Sequence, residues 1–296
     1  MARSHPPSLV TTVRRTLLEE CAPLAGRVIV AAVSGGGDSQ AMLSALGRLA
    51  PKLGFSLVAH GVDHGLRAGA AAELDLAQAL AEKLGVPFGR TQLRVGQGGN
   101  VQARARDARY TALRQVAAAH DALIATAHHA DDRAETVLLR LLRGAGPRGL
   151  AVLPPRAHDV IRPLVRVTKR DVQLHLQRHT LDFAEDPSNQ DAAFLRVRVR
   201  HEAMPLLQRL SPQIVRHLNA LADALNGSGL PKLDGVGGLE AGSDDVALNG
   251  AQIREVLRAN RLGRSVTIRV TGGRDLQARP RPAEAPKNGA AEKIKA

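Results

Sequence analysis

Val28-Ile29-Val30-Ala31-Ala32-Val33-Ser34-Gly35-Gly36-Gly37-Asp38-Ser39 runs from a small, β-branched apolar stretch straight into a glycine-rich turn. The first six residues read as a short strand buried on both faces. A helical stretch, Gln40 to Leu49, follows the turn. A strand, a glycine loop and a helix in that order make a phosphate cradle. The glycines let backbone N–H groups approach a ligand closely, and the helix N-terminus adds partial positive charge. Ser34 and Ser39 contribute hydroxyls. No Gly-Lys-Ser/Thr follows, so the loop is not of the kind that serves γ-phosphoryl transfer, and its spacing departs from G-x-G-x-x-G. An acid inside an anion site, Asp38, makes sense if it holds a magnesium ion or a cationic co-substrate.

Outward from this loop the pattern alternates between Arg27 and about Leu164. Strands are expected at Phe55–Ala59, Phe88–Val95, Ala122–Ala127 and Val160–Val165. Helices are expected at Ala70–Leu84 (ended by Gly85), Val101–His120 (capped by Asn100), Asp131–Arg143 and Thr168–His179 (capped by Thr168). Strands alternating with helices read as βαβ units, hence an α/β fold with a parallel sheet covered on both faces. After Glu185-Asp186-Pro187 the chain turns helical and basic, at Ala192–Leu210 and Pro212–Leu225. Gly227–Gly238 reads as a linker, Gly250–Ala259 as a weak helix and Ser265–Val270 as a strand, and Arg279–Ala296 as disordered. The expected division is a helical lead-in over 1–26, a catalytic domain with a basic helical extension over 27–210, a small helical region over 211–275 and a basic tail over 276–296.

The 296 residues carry a formal net charge of +13, which favours a polyanionic partner through counterion release. Aromatic residues make up only 2%, so RNA contacts would rest on arginine planes and charge more than on stacked rings. The single cysteine, Cys21, excludes an intrachain disulfide and a cysteine-based zinc or iron–sulfur site. The first ten residues lack a signal-type apolar core and no apolar run is long enough for a bilayer, so no membrane role and a cytoplasmic location are expected.

Three further segments gather polar groups where open α/β sheets bind ligands, at strand carboxyl ends. Val62-Asp63-His64-Gly65-Leu66-Arg67 follows the second strand. Asn100 to Tyr110 carries Arg106 and Arg109 three residues apart on one helix face. Thr126-Ala127-His128-His129-Ala130-Asp131-Asp132-Arg133-Ala134-Glu135-Thr136 sets two histidines at a strand end, with Asp132 and Glu135 on one helix face; such a cluster suits a divalent cation. Downstream, Arg196, Arg198 and Arg200 form a basic run suited to RNA phosphate or simply to a solvated helix surface.

Ser34 to Ser39 resembles the S-G-G-x-D-S signature of the PP-loop ATPases. Together with the V-D-H-G-L-R, N-x-E-x-x-A-R-x-x-R-Y, A-x-H-H-x-D-D-x-x-E-T and E-D-x-S-N … R-N-x-x-R stretches, residues 27 to 210 are similar to the lysidine synthetases of that superfamily. Gln102, Arg133 and Val197 depart from the usual Glu, Gln and Asn. The resemblance implies ATP and Mg²⁺ as cofactors, AMP transfer to the C2 oxygen of a wobble cytidine, and displacement of AMP by free L-lysine. The implied partner is an isoleucine tRNA with a CAU anticodon, and the family is often homodimeric. It further implies an ATP site at Ser34, Gly35, Gly36, Gly37, Asp38 and Ser39, with Asp38 on magnesium. Catalytic roles fall to Asp38, Arg109, His129, Asp132 and Glu135. RNA or substrate contacts fall to Asp63, His64, Arg67, Arg106, His128, Arg196, Arg198 and Arg200. Competing readings are a tRNA-thiolating relative, an RNA-binding module with a dead nucleotide site, and an amide-forming ATP pyrophosphatase.

Overall fold

The computed structural model describes residues 7–63, 65, 69–93, 101–184, 195–227, 266–269 and 275–278. The expected helix at 250–259 and the segments 64, 66–68, 94–100 and 185–194 lie outside the described residues. In chain order the elements are α1 (Leu9–Glu20), β1 (Val28–Val33), α2 (Gly37–Leu53), β2 (Ser56–Asp63), α3 (Ala70–Lys83), β3 (Phe88–Gln92), α4 (Val101–Ala118), β4 (Leu123–Ala125) and α5 (Ala130–Leu142). There follow a 3-10 turn (Pro147–Leu150), β5 (Arg156–Ala157), β6 (Val160–Ile161), α6 (Lys169–Arg178), α7 (Leu195–Arg198), a π turn (Val199–Ala203), α8 (Met204–Leu210), α9 (Ile214–Gly227) and a hairpin of β7 (Val266–Arg269) and β8 (Asp275–Ala278).

The main sheet has the order β3-β2-β1-β4-β6-β5 and is parallel apart from β5. Alternate residues of β1 serve two cores. Ile29, Ala31 and Val33 pack with α1, α2, α3 and α6, whereas Val30 and Ala32 pack with Leu113 and Ala117 of α4 on the opposite face. Two-faced burial is why the strand reads as a continuous apolar run. Helix α1 belongs to the first core through Leu9, Val13 and Leu17. The last parallel strand is shorter than its apolar run predicts. Arg162 N already bonds Pro155 O at 2.7 Å, and Pro163 has no N–H to continue a ladder.

Helices α5, α8 and α9, with the 3-10 turn, surround a second core containing Ala134, Val137, Leu150, Met204, Leu218 and Ala222. A buried charge knits this layer together, and its partner Asp223 ties the layer to α1 of the sheet layer through Arg166. Arg133 on α5 is fully buried; its Nε donates to Val152 O (2.9 Å) and its Nη1 to Asp223 Oδ1 of α9 (2.6 Å). Asp223 also accepts from Arg166 Nη2 (3.0 Å), and Arg166 Nε donates to Glu20 Oε1 of α1 (3.0 Å). The side-chain bonds to Glu20 and Asp223 raise the Arg166 pKa despite burial.

Removing Asp223 leaves the Arg133 guanidinium buried and uncompensated. Asp223→Ala is therefore expected to destabilise the protein by about 2–3 kcal/mol, the cost of breaking a largely buried pair tempered by the partial exposure of Asp223. Equilibrium denaturation of both proteins measures it; a change within about 0.5 kcal/mol, the usual scale of a surface substitution, would refute the docking role.

Candidate active site

The sheet order reverses between β1 and β4, which pair in parallel with Ile29 opposite Leu123 and Ala31 opposite Ala125. The connections leaving these two strands go to opposite faces, so a crevice opens beyond their carboxyl ends. The glycine loop leaves β1 there, and His128-His129 follow β4 there. This is how segments nearly one hundred residues apart in sequence come to face each other.

The loop is wired internally. Ser34 N donates to Ser39 Oγ (3.2 Å), and Ser39 Oγ donates to Gly36 O (2.8 Å). Helix α2 begins at Gly37, three residues before the expected Gln40, so Asp38 and Ser39 occupy its first turn and the N–H-rich end points into the crevice. Residues 181–184 brace the loop from outside: Ala184 N donates to Gly35 O (3.0 Å), and Gln40 Nε2 of α2 donates to Asp182 O (3.1 Å). Gly35 has φ +76°, and a Cβ there would lie 1.9 Å from Glu73 O.

The second turn is equally constrained. His129, 3% exposed, caps α5: its Nδ1 accepts from Asp132 N (3.2 Å), while Asp132 Oδ2 accepts from His129 N (3.2 Å). His129 Nε2 lies 3.4 Å from Asp132 Oδ2 and 3.7 Å from Asp38 Oδ2, which links the two turns. Burial alone would raise the Asp132 carboxyl, but His129, His128 and Arg196 hold it below its ordinary value. His128 is pushed down to about 3, by burial first and then by Arg162, Arg106 and Arg109 against the pull of Asp132. It is neutral near pH 7 and shares a hydrogen bond of 3.0 Å with Thr126 Oγ1.

Arginines meet the acids from the far side. Arg200 Nε and Nη2 donate to the two oxygens of buried Glu135 at 2.8 and 2.9 Å, and Nη2 reaches Asp132 Oδ1 at 3.2 Å. The bond to Glu135 raises the Arg200 pKa. Arg196 lies 3.3 Å from Asp132 and 3.4 Å from Glu135. A helical spacing of four puts Arg196 and Arg200 on one side; Arg198, two residues from each, turns away and pairs with Glu202 at 3.1 Å. Asp63 ends β2, and its Oδ1 accepts from Gly65 N (2.8 Å), outside the crevice wall. His64 and Arg67 lie outside the described residues.

The crevice has a cavity of about 740 Å³, walled by Ser34, Gly36, Gly37, Asp38 and Ser39 on one side and by Arg109, His128 and Arg200 on the other. Leu176 and Phe183 form an apolar patch on the same wall. Arg109 has no carboxylate partner among the described residues, so its charge faces the cavity, and burial lowers its pKa. Sequence reading overlooked Lys169. At the first position of α6, its Nζ lies 2.7 Å from Asp38 Oδ1, and its N–H donates to Asp131 Oδ2 at 2.8 Å. A cation at a helix N-terminus opposes the dipole, the one local sign that something else holds it there. Among the described residues no group of three or more His, Cys, Asp or Glu side chains is arranged to hold a metal ion, the segment around His128, His129, Asp132 and Glu135 included. His129 is consumed as a cap and the acids by arginines. Asp38 alone still suits magnesium, which needs only one or two carboxylates beside phosphate oxygens.

A family model described as a PP-loop domain matches residues 9–207. A tRNA(Ile)-lysidine synthase from Thermobifida fusca (strain YX) is 41% identical over 226 residues, 75% of this chain and 70% of the relative. One from Pseudomonas fluorescens (strain Pf0-1) is 43% identical over 187 residues, 62% of this chain but only 42% of the relative. Among solved structures, a U34-tRNA thiolase from Methanococcus maripaludis matches with a TM-score of 0.65 at 19% identity, over 80% of this chain and 84% of the thiolase. That likeness is one of fold.

Gly35→Ala is expected to distort the loop, because φ is positive and the added Cβ meets backbone and not a movable side chain. Affinity for an ATP analogue, measured by calorimetry, should fall at least about tenfold, roughly 1.4 kcal/mol, with the far-ultraviolet circular dichroism unchanged. Wild-type affinity would show that the loop does not bind the nucleotide.

Proposed function

We propose that this chain, which belongs to the tRNA(Ile)-lysidine synthase family of PP-loop proteins, uses ATP to join L-lysine to the wobble cytidine of an isoleucine tRNA with a CAU anticodon. One observation carries the reading. A single crevice sets a phosphate loop opposite Arg200, and behind Arg200 lies a buried acid pair, Asp132 and Glu135, already shaped around a cation. The first feature serves adenylation and the second serves a co-substrate that is a cation at neutral pH.

In the proposed reaction ATP lies with its phosphates on Ser34 to Ser39 and its base against Leu176 and Phe183. Magnesium would be held by Asp38 with phosphate oxygens, where it neutralises charge. The cytidine C2 oxygen attacks the α-phosphorus, and pyrophosphate leaves. Arg109, in the wall without a carboxylate partner among the described residues, stabilises the charge that develops on phosphate. The amine of lysine then attacks C2, the C2–O bond to AMP breaks, and AMP leaves. Lysine enters as an ammonium with a reference pKa of about 10.4, so it must be held and then deprotonated. Asp132, kept ionised by its surroundings, suits the holding. Because His129 Nδ1 accepts from Asp132 N, its neutral ring carries the hydrogen on Nε2 between Asp38 and Asp132, and one of those carboxylates suits taking the ammonium proton. Lysine must displace Arg196 or Arg200 from the acids, a swap of one cation for another.

Lys169 takes the place of the lysine that the loop lacks. It reaches Asp38 from an element 131 positions downstream and lines the same cavity. With Asp38 holding magnesium, Lys169 would be free to meet phosphate oxygens. The fold shared with a tRNA thiolase does not favour sulfur transfer. The lone Cys21 is buried, donates to Pro155 O at 3.5 Å, and burial pushes its thiol up to about 11. A cytoplasmic homodimer is the proposed setting; no described helix is long and apolar enough to cross a membrane.

Purified isoleucine tRNA with a CAU anticodon, ATP, Mg²⁺ and labelled lysine should give lysine-bearing tRNA, with none formed when the wobble cytidine is replaced. Pyrophosphate release without lysine transfer would retain adenylation and refute lysidine formation. Lys169→Met is expected to raise the KM for ATP and lower turnover at least about tenfold, roughly 1.4 kcal/mol, with tRNA affinity kept and partial recovery in Lys169→Arg. Unchanged kinetics in the methionine variant would remove Lys169 from the site.

A further inference from the structure

Behind the ATP cavity lies a second one of about 320 Å³. The two share His128 as a common wall. Two pairs of arginines straddle this wall. From α4, Arg109 lines the first cavity and Arg106, one turn earlier, lines the second. From the helix that starts at Leu195, Arg200 lines the first and Arg196 the second. Arg140 of α5 and Arg148 of the 3-10 turn complete the rim of the second cavity. Ala151, Val152 and Leu153 make its floor, which Arg133 fixes from inside through Val152 O.

The charge here is one-sided. Four arginines line the second cavity, and among the described residues no carboxylate does. Arg196 is engaged with Asp132 and Glu135, and Arg106 lies over the Tyr110 ring at 5.3 Å. Arg140 and Arg148 are exposed, and neither guanidinium makes a hydrogen bond or ion pair among the described residues. Like charges facing one space repel one another, and nothing in the described fold compensates these two. They are satisfied when an anion enters. A free lysine molecule, cationic overall, is a poor match for a rim of four guanidiniums. A phosphodiester strand, which brings one negative charge per nucleotide, matches it.

We propose that Arg140 and Arg148, with Arg106 beside them, form a subsite for the ribose–phosphate backbone of the tRNA strand at the target cytidine. The apolar floor takes the nucleotide's sugar or base, the arginines take the flanking phosphates, and the C2 oxygen meets the α-phosphorus of ATP past the uncharged ring of His128. The subsite rests on the reading that RNA is the acceptor and adds to it where the strand lies and which side chains hold it. Among the described residues His128 is the side chain common to both cavity walls, and its neutral ring adds no charge between them.

The test is tRNA binding by the full chain, measured by fluorescence anisotropy over a range of salt concentrations, without lysine or turnover. In Arg140→Ala/Arg148→Ala the affinity should fall about tenfold or more, and the slope of log affinity against log salt should shrink by about 1–2, as two phosphate contacts are lost. ATP-analogue affinity should be unchanged, and Arg140→Lys/Arg148→Lys should recover much of the slope. Unchanged tRNA affinity and slope in the alanine variant would overturn the proposal. So would a raised KM for lysine with tRNA affinity intact, which would give the arginines to the amino acid's carboxylate. Should the wild-type protein bind tRNA in this way yet make no lysidine, the reaction assigned above fails and the RNA subsite stands.

Discussion

The parallel pairing of β1 with β4 is the constraint on which everything else rests. Each strand contributes little by itself; β4 has only three residues in the ladder. Because the two lie side by side with connections to opposite faces, their following turns cannot be covered by helices and must border a crevice. Both turns are helix starts, α2 after Gly36 and α5 after His129. Two helix N-termini therefore converge on one space, a natural place for the phosphates of a nucleotide. The acids Asp38, Asp131 and Asp132 all lie in those first turns, where the same dipoles keep them favourably charged.

Around this crevice the fold spends its polar residues in matched sets. Asp38 is held by Lys169, Asp132 and Glu135 by Arg196 and Arg200, and Asp132 again by the cap at His129. Few of these bonds are hidden completely; Lys169 and Arg196 remain nearly half exposed. Pairs of that kind exchange partners at small cost, since water and incoming charges can replace what is lost. That is the physical basis of the proposed chemistry, in which a cationic substrate and an anionic nucleotide replace internal cations and are replaced by them. The deeper pair, Arg133 with Asp223, does the opposite work of joining α5 to α9 within the helical layer and has no such freedom on the arginine side.

The π turn at Val199–Ala203 belongs to the same economy of placement. It interrupts the helix between Arg198 and Met204, within the segment that sends Arg200 to Glu135 and Arg200 and His201 to the cavity wall. Such turns recur at functional sites because the extra residue re-aims side chains without ending the helix.

The amino-acid sequence by itself determined the alternation of strands and helices and the identity of the loop. The apolar run Val28–Val33 ends where the strand ends, Thr168 caps α6, and the glycines fall where the backbone must turn, because these depend on local sterics and hydrogen bonds alone. It also brought Asp38, Arg109, His128, His129, Asp132 and Glu135 into view through motifs; the structure sets the first three in the crevice wall and the other three behind it, through Asp38 and Arg200. What remained hidden was every partner chosen across long sequence separation. Lys169 on Asp38, Arg200 on Glu135, Arg133 on Asp223 and the brace from residues 181–184 leave no periodic trace, since a lone charged residue reads the same on a solvated surface as at a site. Only the tertiary structure decided those pairings: they follow from which strand ends the sheet order sets side by side, and strand order is not a local property of the chain.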